Sequence, residues 1–195
     1  MLGGMDPALC IDTPRLWLCL PDVDWAPVVA DFQRRNRAHF APWDPPRAEA
    51  YYSDGFWHDA LAKGRQDCVH EQSLRLFLIP KARPQTVIGF ANFSNIMRGP
   101  FQACYLGYGL DAQATGSGLM TEALQAAVDA VFAGLKLHRI MANYVPENER
   151  SARVLQRLGF NIEGLARDYL YINGRWRDHV LTAKVHPAAP VPSGS

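Results

Sequence analysis

The sequence predicts a single α+β domain: a mixed, mostly antiparallel twisted sheet flanked by helices. Three observations carry that prediction. Three strand-like runs, S-L-R-L-F-L-I-P, T-V-I-G-F-A-N-F-S-N and A-C-Y-L-G-Y-G-L, follow one another across short turns, as an antiparallel meander does. A strongly periodic apolar segment then starts directly after a glycine-rich loop. Two alternating runs around Asn173-Gly174 close the chain, the strongest short hairpin signal available.

The elements follow in order. R-L-W-L-C-L (Arg15–Leu20) reads as a first strand, stopped by Pro21 and Asp22. Asp22 or Asp24 then caps a helix running to about Asn36. The aromatic, proline-broken stretch H-F-A-P-W-D-P-P-R precedes a second helix around Ala48–Lys63. After the three-strand meander, apolar residues recur at 119, 120, 123, 124, 127, 128, 131, 132 and 135, the i, i+3/i+4 pattern of a helix with a wide buried face, and Gly134 marks its end. H-R-I-M-A-N-Y-V (His138–Val145) reads as a strand. P-E-N-E-R-S-A-R-V-L-Q-R-L-G reads as a helix with Asn148 as N-cap and Gly159 as stop, and F-N-I-E extends again before the hairpin.

Composition narrows the function. The chain has 195 residues, 48% hydrophobic and 20% charged, with a net charge of +1. That suits one folded domain and gives no global attraction to nucleic acid or membrane surfaces. Cys10, Cys19, Cys68 and Cys104 are scattered, without C-x-x-C or a histidine at ligand spacing, so reduced thiols, a cytoplasmic location and no metal are expected. No signal-peptide pattern opens the chain, and no apolar run reaches the roughly 18 residues of a membrane span. Residues 1–11 are expected to be a flexible N-terminus, 12–185 the domain, and 186–195 a disordered proline-rich tail.

The loop Q-A-T-G-S-G carries the chemistry. Gly116 and Gly118 allow a tight turn with bare N–H groups close to a ligand. The first four N–H groups of the following helix have no partner inside it, and the helix dipole adds positive potential. Together they suit phosphate oxygens. No G-K-S/T follows, so this is not a P-loop. The preceding elements look antiparallel, so it is not a dinucleotide-binding βαβ turn either.

Gln113-x-x-Gly116-x-Gly118 after a strand, then Asn143-x(4)-Asn148-x-x-Ser151 and Leu158-Gly159-Phe160, resembles the GCN5-related N-acetyltransferase superfamily. H-F-A-P-W-D-P, V-I-G-F-A-N-F-S-N, A-C-Y-L-G-Y, G-L-M-T-E-A-L, H-R-I-M-A-N-Y, R-L-G-F and I-N-G-R-W-R-D-H-V-L-T-A extend the resemblance over roughly residues 12–184. They resemble above all its branch that acetylates the N-terminal alanine of a small-subunit ribosomal protein. The resemblance implies central strands that splay apart, with the pantetheine arm of acetyl-coenzyme A between them. Main-chain groups of Tyr108, Gly109 and Leu110 would pair with its amides. Gln113, Ala114, Thr115, Gly116, Ser117 and Gly118 would hold the pyrophosphate, and Asn143 and Asn148 would bond cofactor amides.

The implied reaction is attack of a neutral amine on a thioester, through an intermediate whose oxyanion needs a donor. Ser151, one turn beyond Asn148, is the expected proton donor to the leaving thiolate. The fourth strand, Y-L-G-Y-G-L, lacks the glutamate that some relatives carry as base. Tyr108, Asn92, Ser94, Asp168 and the Asp178-His179 pair stand as candidate acceptors or orienting groups. Phe40, Trp43, Tyr51, Tyr52, Phe56 and Trp57 fall where the superfamily builds its acceptor lid. Arg139, Arg150, Arg153 and Arg157 fall toward the adenosine end, where one or two would meet the 3′-phosphate. The expected partner is a ribosomal-protein N-terminus, with a pre-ribosomal particle as its setting and no direct nucleic acid or membrane contact, in a monomer or a dimer. Two other readings stay open. One is a small-molecule acceptor (polyamine, aminoglycoside or amino acid), the other a ribosome assembly factor that binds acetyl-coenzyme A without turnover.

Overall fold

The computed structural model describes residues 9–188. Eight strands form one sheet: β1 (Cys10–Asp12), β2 (Leu16–Cys19), β3 (Leu74–Pro80), β4 (Gly89–Met97), β5 (Ala103–Leu110), β6 (Arg139–Met141), β7 (Asn161–Ile172) and β8 (Arg175–Val185). Their spatial order is β1-β2-β3-β4-β5-β6-β8-β7. All neighbours are antiparallel except β5 and β6, which run parallel through the crossover helix α4 (Leu119–Leu135).

One face of the sheet packs on α4 and α5 (Glu149–Arg157). Leu16, Leu18, Leu76, Leu78, Phe93 and Leu106 meet Leu124, Val128 and Leu155 there. The other face packs on α1 (Ala26–Arg35) and α3 (Asp54–Val69), where Phe32, Trp57 and Leu61 close over Phe77 and Val87. A one-turn helix, α2 (Arg37–Phe40), extends α1.

Local chemistry explains most boundaries. Asp22 caps a single 3-10 turn, and Pro27 sits in the first turn of α1, where its missing N–H costs nothing. Asn148 caps α5, its side chain accepting from the Ser151 N–H at 3.1 Å. Asn173 and Gly174 both take positive φ (49° and 79°), the geometry of a two-residue hairpin turn.

Five expectations are corrected. The helix around Ala48–Lys63 is two elements, a 3-10 turn at Glu49–Tyr52 and then α3. Ser53 is extended and caps α3 by accepting from the Phe56 N–H. Gly134 lies inside α4. The helix ends instead at Lys136, whose left-handed backbone lets its N–H return to the Phe132 carbonyl. The strand His138–Val145 contracts to β6, because beyond Met141 the chain follows β8 and leaves β5.

The expectation of four reduced thiols fails for one pair. The β1–β2 register places Cys10 opposite Cys19, and a disulfide joins them. The domain boundaries also move. β1 begins two residues before 12, and His186 is tied down by its N–H to the His138 carbonyl and by its ring on Phe132. Of the two expected loose ends, residues 1–8 and 189–195 lie outside the described residues.

Candidate active site

The site grows from the parting of β5 and β6. They pair only over Ala103–Tyr105 with Arg139–Met141. From Ala142 onward the second arm is held by β8: the Ala142 N–H donates to the Thr182 carbonyl, and Tyr144 and Val180 exchange both main-chain bonds. Asn143 fills the gap between them. Its Oδ1 accepts from the Thr182 N–H (3.3 Å) and its amide donates to the Tyr169 hydroxyl (3.2 Å). β5 continues to Leu110 paired with β4 alone, so its other edge opens into the space between the arms.

That space is a cleft of about 880 Å3. It is walled by the end of β5 (Tyr108, Gly109, Leu110), by the loop and first turn of α4, by residues 147–157 around α5, and by the segment 38–44. Tyr108 and Ser151 meet inside it, with hydroxyl oxygens 2.6 Å apart. Burial pushes the Tyr108 phenol above its ordinary range despite the opposing effect of Ser151, so it remains a protonated donor at neutral pH. Burial pushes Cys104 up to about 12, and its side chain lies in the core.

The loop is built to present donors. Gly116 and Gly118 take φ of 79° and 78°, with nothing within 4 Å of a Cβ at Gly116. The Thr115 and Ser117 hydroxyls turn back to the Ala112 and Ala114 carbonyls. The α4 N-cap is Gly118, which offers no side-chain acceptor. Among the described residues no main-chain acceptor engages the N–H groups of Gly116 and of Gly118 to Thr121. These N–H donors sit at the positive end of a 17-residue helix.

Two residues that the sequence reading did not single out fix this loop. Asp111 ends β5 and accepts from the Gln113 N–H, the Arg35 Nε (2.9 Å) and the Asn36 amide (3.3 Å). Burial works against its charge, but those donors prevail and hold the carboxyl below its usual range. Arg15 donates to the Ser117 carbonyl (3.0 Å) and pairs with Glu122 in the first turn of α4 (2.6 Å). Only its distance of about a hundred residues along the chain hid it; the loop's own letters contain no base. Asp111, an Asp just after a strand, carried a readable capping signal.

The structure gathers part of the expected set. Tyr108, Gly109, Leu110, Thr115, Gly116, Gly118, Asn148 and Ser151 line the cleft, with Arg150, Arg153 and Arg157 on α5. Gln113, Ala114 and Ser117 lie in the loop without lining the cleft, and Asn143 spends its side chain within the sheet. Arg139 pairs with Glu163, away from the cleft. Asn92, Ser94, Asp168, Asp178 and His179 also lie outside it. Of the aromatics, Phe40 and Trp43 wall the cleft and Tyr51 and Tyr52 wall an adjoining cavity of about 200 Å3, while Trp57 is buried in the core and Phe56 is exposed.

Known proteins resemble this chain in sequence and fold. The Acetyltransferase (GNAT) domain family matches residues 15–161. The ribosomal protein uS5-alanine N-acetyltransferase of Escherichia coli strain K12 is 44% identical over 182 residues, 93% of either chain. The crystal structure of a ribosomal-protein-S5-alanine acetyltransferase from Vibrio fischeri superposes with a TM-score of 0.90 at 37% identity, covering 93% of this chain and 99% of that one. RimJ of Mycobacterium smegmatis, solved in complex with CoA-disulfide, superposes at 0.85 with 26% identity over 93% and 91%. No helix among the described residues is long and apolar enough to cross a membrane. Parted central strands, a donor-rich glycine loop and a match across most of its length place this chain in the GNAT acetyltransferase family.

Proposed function

We propose that this chain transfers the acetyl group of acetyl-coenzyme A to the N-terminal α-amino group of a small-subunit ribosomal protein, at an alanine. The observation that carries the reading is its 44% identity to the Escherichia coli enzyme across nearly the full length of both chains.

The residues present fit the coenzyme. The N–H groups of Gly116 and of Gly118–Thr121, with Arg150 and Arg157, which form no ion pair among the described residues, suit phosphates, each charge-assisted bond being worth roughly 1.5–3 kcal/mol. The open β5 edge at Tyr108–Leu110 suits a chain of amides. Acetyl-coenzyme A supplies an acetyl group activated as a thioester.

The protein's own part is to orient, exclude water and move protons. Ser151, hydrogen-bonded to the neutral Tyr108 hydroxyl, donates a proton to the departing sulfur and is replenished through Tyr108. An α-amino group with a pKa near 7.7–8.0 loses its proton at neutral pH for about 1 kcal/mol, against about 4–5 kcal/mol for a lysine near 10.4. A chain terminus therefore suits a site lacking a strong base. The setting is the cytoplasm, where the acceptor terminus is reached on the ribosomal protein itself or within a pre-ribosomal particle.

Thiol release with an alanine-starting peptide, spermidine and an aminoglycoside tests the reading. Turnover is expected with the peptide, and turnover confined to spermidine overturns it. A mass spectrum of the host's ribosomal proteins with and without the gene identifies the acceptor by a 42 Da shift, the mass of one acetyl group replacing a hydrogen.

A further inference from the structure

Three carboxylates line the cleft, and two are already engaged. Glu147 pairs with Arg177 at 2.9 Å, and Glu149 with Arg153 at 3.0 Å. Asp44 makes no ion pair or side-chain hydrogen bond among the described residues; it is half-buried, with Arg47 and Arg75 as its charged neighbours. It alone among the three borders both cavities, the large cleft and the adjoining 200 Å3 one.

Its position is fixed by backbone and aromatic packing. The Asp44 N–H donates to the Phe40 carbonyl at 3.0 Å, and the Phe40 ring packs on Phe90 with centroids 6.2 Å apart. A Cβ at Gly109 would come within 2.7 Å of the Phe90 ring and 3.1 Å of the Phe40 ring, so a glycine there lets Phe90 and the Phe40 segment settle on the end of β5 beside Tyr108. The next glycine of that sheet face, Gly107, leaves open space where a side chain would stand, next to Asn92 and Arg75 in the adjoining strands.

Resting on the proposed function, we infer that Asp44 receives the acceptor's α-ammonium group where the two cavities join, and takes the proton it must lose. One N–H bond of the ammonium breaks, a carboxyl O–H forms on Asp44, the free pair stays on nitrogen for attack, and the proton passes on to water. The adjoining cavity, walled by Pro45, Pro46, Tyr51, Tyr52, Arg37 and Asn173, takes the residues that follow the acceptor's first.

The electrostatics agree with this role. Burial raises the Asp44 carboxyl above its ordinary range, while Arg47 on its own segment and Arg75 on β3 pull it down. Tyr51 faces it as a neutral phenol, itself raised chiefly by burial. The cleft wall also carries His39, Tyr108, Glu147, Glu149, Arg150, Arg153 and Arg157, and the adjoining cavity Arg37 and Tyr52. A carboxyl moved toward neutrality accepts a proton from an amine more readily than an exposed aspartate does.

The test compares wild type, Asp44→Asn and Asp44→Glu on an alanine-starting peptide and on spermidine, with coenzyme A binding measured by calorimetry. Asp44→Asn is expected to lower kcat/KM for the peptide by about 100-fold with coenzyme A affinity unchanged, Asp44→Glu to restore part of it, and the acid limb of the pH profile to move upward in Asp44→Asn. Wild-type turnover of the peptide with Asp44→Asn within three-fold of it overturns the role of Asp44 alone. Wild-type turnover of spermidine but not of the peptide overturns the proposed function, and with it the α-ammonium as occupant. Lost coenzyme A binding in both variants shows a structural role and overturns the inference as well.

Discussion

The two halves of β5 share one backbone and do opposite things. Over Ala103–Tyr105 the strand is paired on both sides, and Ala103 and Cys104 are fully buried. Over Tyr108–Leu110 it is paired with β4 only, and its residues are half-buried at the cleft. The first half is held by packing and a complete ladder. The second leaves main-chain groups without partners, which a fold normally avoids. It persists because its neighbours are tied elsewhere: Asn143 and Tyr144 to β8, Asp111 to Arg35 and Asn36. Rigid surroundings thus keep an edge open.

This contrast predicts that damage to the two halves separates stability from activity. Phe93 stands opposite Leu106 in the β4–β5 register and is fully buried. Phe93→Ala is expected to cost about 3–5 kcal/mol in denaturant unfolding while leaving KM for acetyl-coenzyme A near wild type in the folded fraction. Ser151→Ala is expected to reverse the pattern, lowering kcat by about 100-fold with the unfolding midpoint unchanged. A fall confined to stability would remove Ser151 from the chemistry. Gly116→Val meets no protein atom within 4 Å, yet it forces a β-branched residue into a left-handed backbone at about 1–3 kcal/mol and shields the N–H row. Calorimetry should show coenzyme A affinity reduced more than ten-fold, and unchanged affinity would dissociate the loop from phosphate binding.

Asp111 gives a pH-dependent test. Its folded carboxyl sits below the unfolded value, so its stabilisation is fully present above the unfolded pKa of about 3.9 and is lost as pH falls through the lower folded value. Melting temperature should therefore drop on acidification below about pH 4, and Asp111→Asn should flatten that slope. The smallest effect is expected far from β5, at Leu165 on the exposed edge strand β7. Leu165→Ser should change stability by no more than about 0.5 kcal/mol.

Signals carried by neighbouring residues proved readable. The apolar stripe of α4, the Asn148 cap and the Asn173-Gly174 turn each depend on contacts within a few residues, and each formed where expected. Where local rules competed, reading went astray. Ser53 split a continuous helical pattern, and Gly134 was tolerated inside α4 because Ala127, Val131 and Leu135 bury the same face on either side of it. The cleft was legible as a loop and a pair of flanking motifs, but not as a set of side chains. Asn143 reads as a binding residue by its motif, whereas the structure engages it with Thr182 and Tyr169. Arg15 and Asp44 have no signal of their own, since what defines them is the company of residues far along the chain.

The letters alone determined the element types, the donor-rich loop before α4 and the family, because propensity, capping and amphipathic period act over a turn or two of chain. Only the tertiary structure decided where β5 and β6 part, which arginine steadies the loop and which carboxylate of the cleft makes no ion pair among the described residues. Those outcomes depend on which groups are already satisfied once distant strands have packed, and burial makes every unsatisfied one costly.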